Sequence, residues 1–187
     1  MNNIYLIVGE SGAGKTTIAE ALCEKNGWTQ IQSYTNRPPR SDDEDGHCFI
    51  DHKVFPTFME IERVFDDIVA RTVYNGHCYF CTAAQIEDDD LYVIDPTGID
   101  YFVEHYCGTK GVRIIYIYVN PEQRLTRMLA RGDTQEKAME RLHNDEDTEG
   151  TNFFRVYANA DFVAYNTGSL ATCVQDISDY IMREESK

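Results

Sequence analysis

The residues Gly9-Glu10-Ser11-Gly12-Ala13-Gly14-Lys15-Thr16 follow the pattern G-x-x-x-x-G-K-[ST]. Between a strand and a helix, that pattern is a phosphate loop. Its glycines permit turns that a Cβ would obstruct, and the exposed amide N–H groups can converge on an anion. A helix starting at Lys15 adds the positive end of its dipole. Lys15 is then expected to bridge the β- and γ-phosphates of ATP, and the Thr16 hydroxyl to reach Mg²⁺. Gly9, Glu10, Ser11, Gly12, Ala13, Gly14 and Thr17 complete the expected phosphate contacts.

A second basic spot lies in Ser33-Tyr34-Thr35-Asn36-Arg37-Pro38-Pro39-Arg40. Prolines restrict the backbone between Arg37 and Arg40, and the planar guanidinium fork suits a phosphate. The setting makes this spot informative. The chain carries 32 acidic and 17 basic residues, for a net charge of -15. Such a chain repels nucleic-acid backbones and anionic membranes, so an anionic small-molecule substrate needs local arginines. Asp95 closes the apolar run Leu91–Ile94, where a carboxylate can hold Mg²⁺ through water.

These residues require a scaffold. Ile4–Val8 reads as a buried parallel strand, and Lys15–Lys25 has helical spacing with Ile18, Ala21 and Leu22 on one side. Further strands are expected at Thr29–Gln32, Leu91–Ile94, Val112–Val119 and Asp161–Tyr165. Helices are expected over 56–66, 98–107, 121–130, 134–147 and 170–182, and residues 33–48 read as a loop. Val69–Tyr74 and His77–Cys81 flank Asn75-Gly76, which predicts a hairpin with a primed turn. Alternating apolar strands and helices predict an α/β fold in three layers on a parallel central sheet. The expected division is one domain: a core of 1–32, 83–126 and 156–187, a small β-rich flap over 33–82, and a helical lid over 127–155.

Several motifs now fall into order. After the phosphate loop come Ser33…Arg37-Pro38-Pro39-Arg40, Gly46-His47-Cys48-Phe49, Gly76-His77-Cys78-Tyr79-Phe80-Cys81-Thr82, Ile94-Asp95 and Arg127…Arg131-Gly132. In this order the chain resembles the guanylate kinase family of nucleoside monophosphate kinases. The resemblance implies the P-loop NTPase fold, Mg-ATP as phosphoryl donor and a phosphate-bearing acceptor, with GMP or dGMP the default. It assigns Ser33, Arg37, Arg40 and Tyr79 to the acceptor phosphate, and Asp95 to the acceptor side as well. It assigns Arg127, Arg131 and Arg141 to the lid over the transferring phosphoryl group, and Asn166 to the neighbourhood of adenine.

The chain departs from that family where the base is read. The family's glutamate before the hairpin falls on Ala70, its hairpin serine on Cys81 and its G-x-x-Y tyrosine on Phe49. Glu60 or Glu62 is an alternative reader if the alignment slips across 50–70. A site that pairs with guanine discriminates strongly, and losing the partner removes that discrimination. Two other functions therefore stay open. One is a kinase for a non-nucleotide phosphate such as ribose 1,5-bisphosphate. The other is a noncatalytic interaction module, against which the retained Lys15, Thr16, Arg37, Arg40 and Arg131 argue.

Other signals are ordinary. Cys78 and Cys81 have zinc-like spacing, but strand alternation sends them to opposite faces. The acidic runs 42–45 and 88–90 read as solvated turns. Six scattered cysteines, no signal peptide and no long apolar run fit a cytoplasmic protein with reduced thiols.

Overall fold

The computed structural model describes residues 1–39, 44, 46–145 and 152–187. The strands are β1 (Asn3–Val8), β2 (Tyr34–Thr35), β3 (Cys48–Phe49), β4 (Ile68–Tyr74), β5 (His77–Thr82), β6 (Leu91–Val93), β7 (Gly111–Tyr118) and β8 (Phe162–Tyr165). The helices are α1 (Lys15–Asn26), α2 (Phe58–Ile61), α3 (Ala83–Asp88), α4 (Pro96–His105), α5 (Pro121–Ala130), α6 (Gln135–Asp145), α7 (Phe153–Ala158) and α8 (Leu170–Glu185).

Four strands form the central sheet in the order β6-β1-β7-β8, and all of their pairings are parallel. Every residue of β1 is buried. The reason is that both sheet faces are covered. Tyr5 and Ile7 meet Ile18 and Leu22 of α1 and Val174, Ile177 and Ile181 of α8. Ile4, Leu6 and Val8 meet Ile99 and Phe102 of α4 and the hairpin residues Val69, Ala70 and Cys81. Hence the run is continuously apolar rather than alternating. Fully burying each of these aliphatic side chains contributes roughly 1.5–3 kcal/mol. The expected three-layer α/β architecture is observed.

A second sheet, ordered β3-β2-β5-β4, lies within the segment 33–82 expected as the flap, a label kept below for this sheet. Its hairpin turns at Asn75 (φ 49°) and Gly76 (φ 76°), the left-handed pair that a primed turn requires. The flap has its own apolar cluster of Ile61, Ile68, Cys78 and Phe80. Phe80 stacks on Tyr34 at 5.1 Å and meets Phe65 edge-on at 5.0 Å. Cys81 belongs instead to the sheet-side cluster, so Cys78 and Cys81 do lie in different layers. α5 and α6 form a helical hairpin held by Met128, Ala138 and Leu142.

Several expected elements differ. Thr29–Gln32 makes only an isolated bridge, Gln30 to Leu91, rather than a strand. The helix expected over 56–66 is α2, with four residues; Thr57 and Glu60 form its capping box, and irregular turns follow it. The segment read as a loop contains β2 and β3, too short for periodicity to reveal. α3 and α7, six residues each, were likewise not expected. The helix expected from 98 begins at Pro96, because Asp95 caps it and Pro96 fits the first turn. Among the described residues, no helix is long and apolar enough to cross a membrane.

Candidate active site

Parallel strands bring their carboxyl ends to one edge of the central sheet, where ligands of such folds bind. The phosphate loop leaves β1 there and enters α1. Gly12 (φ 80°) and Gly14 (φ 89°) need the left-handed region, and neither has room for a side chain. A Cβ on Gly12 would stand 2.8 Å from the Arg124 carbonyl oxygen, and one on Gly14 would stand 2.9 Å from Asn166 Nδ2. Lys15 Nζ donates to the Gly9 carbonyl at 2.6 Å and the Glu10 carbonyl at 3.2 Å. Burial lowers its pKa to about 8, opposed by the nearby carboxylates of Asp145, Asp95 and Glu10. Thr16 and Thr17 are exposed in the first turn of α1.

Two expected ligand contacts brace the loop. Asn166 Nδ2 donates to the Ala13 carbonyl at 2.9 Å. Arg127 Nη2 donates to the Asn166 carbonyl at 2.7 Å, and its Nη1 reaches Ala13 O at 3.4 Å. Arg127 therefore sits against the loop, in the last turn of α5, rather than out on the lid. Arg131 and Arg141 stand apart from it, sharing the Asp133 carboxylate at 2.6 and 3.8 Å. Arg131 is half exposed and Arg141 partly so.

The flap gathers most of the expected acceptor residues. Arg37 is 9% exposed; its Nε donates to Tyr79 Oη at 3.1 Å, and its Nη2 meets Glu44 Oε1 at 2.7 Å. Hydrogen bonding to Glu44 raises the Arg37 pKa further. The Arg37 guanidinium also lies 5.4 Å from the Phe49 ring centroid. Ser33 Oγ and His47 Nδ1 are hydrogen-bonded at 3.2 Å. The buried Asn36 fixes this strand, donating to the Phe55 carbonyl at 2.8 Å and accepting from Cys78 N–H at 2.8 Å. Arg40 lies outside the described residues.

The positions of the base readers differ from this. Ala70 and Cys81 are both fully buried in the apolar layer between hairpin and sheet. Burial pushes the Cys81 thiol up to about 12. Neither side chain presents surface to an acceptor. The alternatives are engaged elsewhere: Glu60 completes the α2 cap, and Glu62 pairs with Arg71.

Asp95 ties the central sheet to the hairpin. Its Oδ1 accepts from Gly98 N–H at 2.7 Å, and its carboxylate also bonds the Thr72 side chain. Burial raises its pKa, opposed by these hydrogen bonds and by Lys15. Thr72 is paired with Tyr79 across the hairpin, and Tyr79 holds Arg37. Asp95 thus bonds its own helix through Gly98 and the hairpin through Thr72.

Two participants were missed in the sequence. His47 has ring contacts with Phe49 and Tyr79 at 6.0 and 5.6 Å. Its position within Gly46-His47-Cys48-Phe49, two residues before Phe49, was the available signal. Arg124 is 1% exposed and makes ion pairs with Glu10 at 2.9 Å and Asp145 at 2.5 Å. Its spacing of three from Arg127 put both on one helix face, but nothing in that spacing marked it as buried.

The chain is similar to known proteins over most of its length. The family model described as "AAA domain" matches residues 6–150, and the chain belongs to that family. It is 28% identical to a guanylate kinase of Nitrosomonas europaea over 199 aligned positions, covering 100% of this chain and 92% of that one. It is also 28% identical to a guanylate kinase of Histophilus somni over 177 positions, covering 86% and 81%. The crystal structure of guanylate kinase from Anaplasma phagocytophilum superposes with a TM-score of 0.67 at 20% identity, covering 99% of this chain and 87% of that one. The chain is thus similar to guanylate kinases in sequence over most of its length and in fold.

Proposed function

We propose that this protein transfers the γ-phosphate of Mg-ATP to the phosphate of a nucleoside monophosphate, with GMP or dGMP the first acceptor to test. One observation carries the reading. Asp95, two residues past β6, the strand beside β1 and its phosphate loop, bonds Thr72, whose hairpin partner Tyr79 holds Arg37. The sheet edge that carries the phosphate loop and the hairpin that holds Arg37 are thus tied through one carboxylate.

The chemistry needs little more. A phosphomonoester is already largely dianionic near neutral pH and attacks without a general base. The enzyme must align two anions, neutralise charge and exclude water. Lys15 and the loop amides serve the donor. Ser33, Arg37, Arg40, Phe49 and Tyr79 serve the acceptor. Arg131 and Arg141, released from Asp133, reach the transferring group as the lid of 127–155 closes on the flap of 33–82. Thr16 and Asp95 fit Mg²⁺ as hard oxygen donors, and the remaining ligands would be phosphate oxygens and water. When bound, the ion would offset charge on the β- and γ-phosphates. Six free thiols suit a reducing cytoplasm.

A second reading has its own support. With Ala70 and Cys81 buried, the hairpin offers no carboxylate to guanine. That favours an acceptor bound through its phosphate and sugar, either another nucleotide or a sugar phosphate. The test is an acceptor screen with Mg-ATP across nucleoside monophosphates and sugar phosphates, with Lys15→Ala as the control. We expect transfer to at least one nucleoside monophosphate, lost in Lys15→Ala. Transfer to sugar phosphates alone would install the second reading, and transfer unaffected by Lys15→Ala would defeat the mechanism.

A further inference from the structure

Against the phosphate loop stands a charged cluster that the loop motif does not include. Arg124 is the bulkiest fully buried side chain among the described residues. Its Nη1 lies 2.9 Å from Glu10 Oε1 and its Nη2 lies 2.5 Å from Asp145 Oδ2. Its Nε donates to the Ser11 carbonyl at 2.9 Å. Asp145, the last residue of α6, also accepts from the Ser11 N–H at 2.8 Å and from Ser11 Oγ at 3.4 Å. One guanidinium therefore joins two consecutive loop residues to both helices of the α5–α6 hairpin.

Burial of charge costs several kcal/mol, roughly, unless geometry and hydrogen bonds offset it. Here all three guanidinium nitrogens are engaged. The contact is also backbone-close: the space beside Gly12 is filled by the main chain of Arg124 itself. A phosphate cradle works only if its amides are held to within about 0.5 Å, by groups whose own positions are locked. Arg124 meets that requirement for Glu10 and Ser11. It also balances two carboxylates that would otherwise face an incoming polyphosphate together with Lys15. Crowding between those carboxylates is visible in Glu10, whose pKa is raised by burial and by Asp145 against the pull of Arg124.

We propose that Arg124 is a positioning residue for the ATP phosphates: through Glu10, Ser11 and Asp145 it holds the phosphate loop in register with α6, the helix that carries Arg141. The proposal rests on the kinase reading above and adds a residue to its donor side. It also makes the donor site and the lid helix one mechanical unit, so loosening Arg124 acts on ATP and spares the flap.

The deciding variant is Arg124→Lys, which keeps the charge but cannot present three planar arms. We expect the Kd for Mg-ATP, measured by calorimetry, to rise at least about tenfold, roughly the loss of one charged hydrogen bond. The KM of the monophosphate that the wild type phosphorylates fastest should move less than about twofold, because its ligands lie on the flap. An unchanged Kd for Mg-ATP, or equal weakening of both substrates, overturns the proposal. If Arg124→Lys yields no folded protein, Asp145→Ala carries the test by amide hydrogen exchange. Exchange in the peptide containing Ser11 should then accelerate at least about tenfold, while the α8 peptide keeps its wild-type rate. Unaltered Ser11 exchange overturns the proposal equally. A wild type that binds no Mg-ATP defeats the kinase reading along with this one. A wild type that binds and transfers normally beside an insensitive Arg124→Lys defeats this one alone.

Discussion

Lys15 is the residue on which solution conditions act most directly. It is half-buried, bonded to two carbonyls, and its pKa is lowered to about 8. The cause is desolvation, which disfavours the charged ammonium. As pH rises through 8, the free protein loses the positive charge that the proposed mechanism sets against the β- and γ-phosphates. The value of kcat/KM for ATP should therefore be level below about pH 7 and fall by nearly tenfold per unit well above 8. Bound phosphates favour the ammonium and push the pKa back up, so kcat should decline later than kcat/KM. A kcat/KM profile level to pH 9.5 would refute this account of Lys15. At Arg37 the same reasoning gives the opposite direction, since Glu44 stabilises its charge.

At the scale of elements, the phosphate loop is shaped by what presses on it. Gly12 and Gly27 both have positive φ, 80° and 70°, but their surroundings differ. A Cβ on Gly12 would lie 2.8 Å from a backbone oxygen of α5, whereas Gly27, which caps α1, has nothing within 4 Å. Alanine in the left-handed region costs about 1–2 kcal/mol at either position. Gly27→Ala should lose that strain alone. Gly12→Ala should lose more, because the loop and α5 must separate. Urea unfolding of the two variants gives the comparison, and equal losses would mean that α5 does not constrain the loop. The flap shows the same dependence on context: β2 and β3 are two residues each and exist because Asn36 and the Phe80 cluster hold them.

The whole molecule joins a buried parallel sheet to two smaller appendages with their own apolar clusters. The flap's small cluster should resist opening less than the central one, whereas α5 and α6 are tied to the phosphate loop through Arg124. Ligand binding should then register in two ways. Mg-ATP at a hundredfold excess over its Kd should add about 2.7 kcal/mol to the unfolding free energy. For a chain of this length that is roughly 5–10 °C in Tm. Adding acceptor as well should slow hydrogen exchange in β4, β5 and α6 while leaving β1 and β7 unaltered. No shift in Tm with Mg-ATP would exclude the phosphate loop as its site.

Sequence alone determined the features that are local or periodic. The phosphate loop declared itself because only glycine tolerates its backbone and because the lysine follows at a fixed spacing. β1 was legible from its continuous apolar run, α5 from Pro121 as a helix start, and the hairpin from Asn75-Gly76, since a two-residue primed turn has few other solutions. Tertiary structure decided the rest. Whether Arg124 is a surface charge or the centre of a buried cluster depends on Asp145, 21 residues away, and on Ser11, 113 away. Ala70 and Cys81 are excluded from the acceptor side by the sheet packed behind them, and Asn166 is drawn to the loop by Ala13. Such partners meet only when the chain has closed on itself. Burial and pairing belong to the assembled molecule, and no local window of sequence contains them.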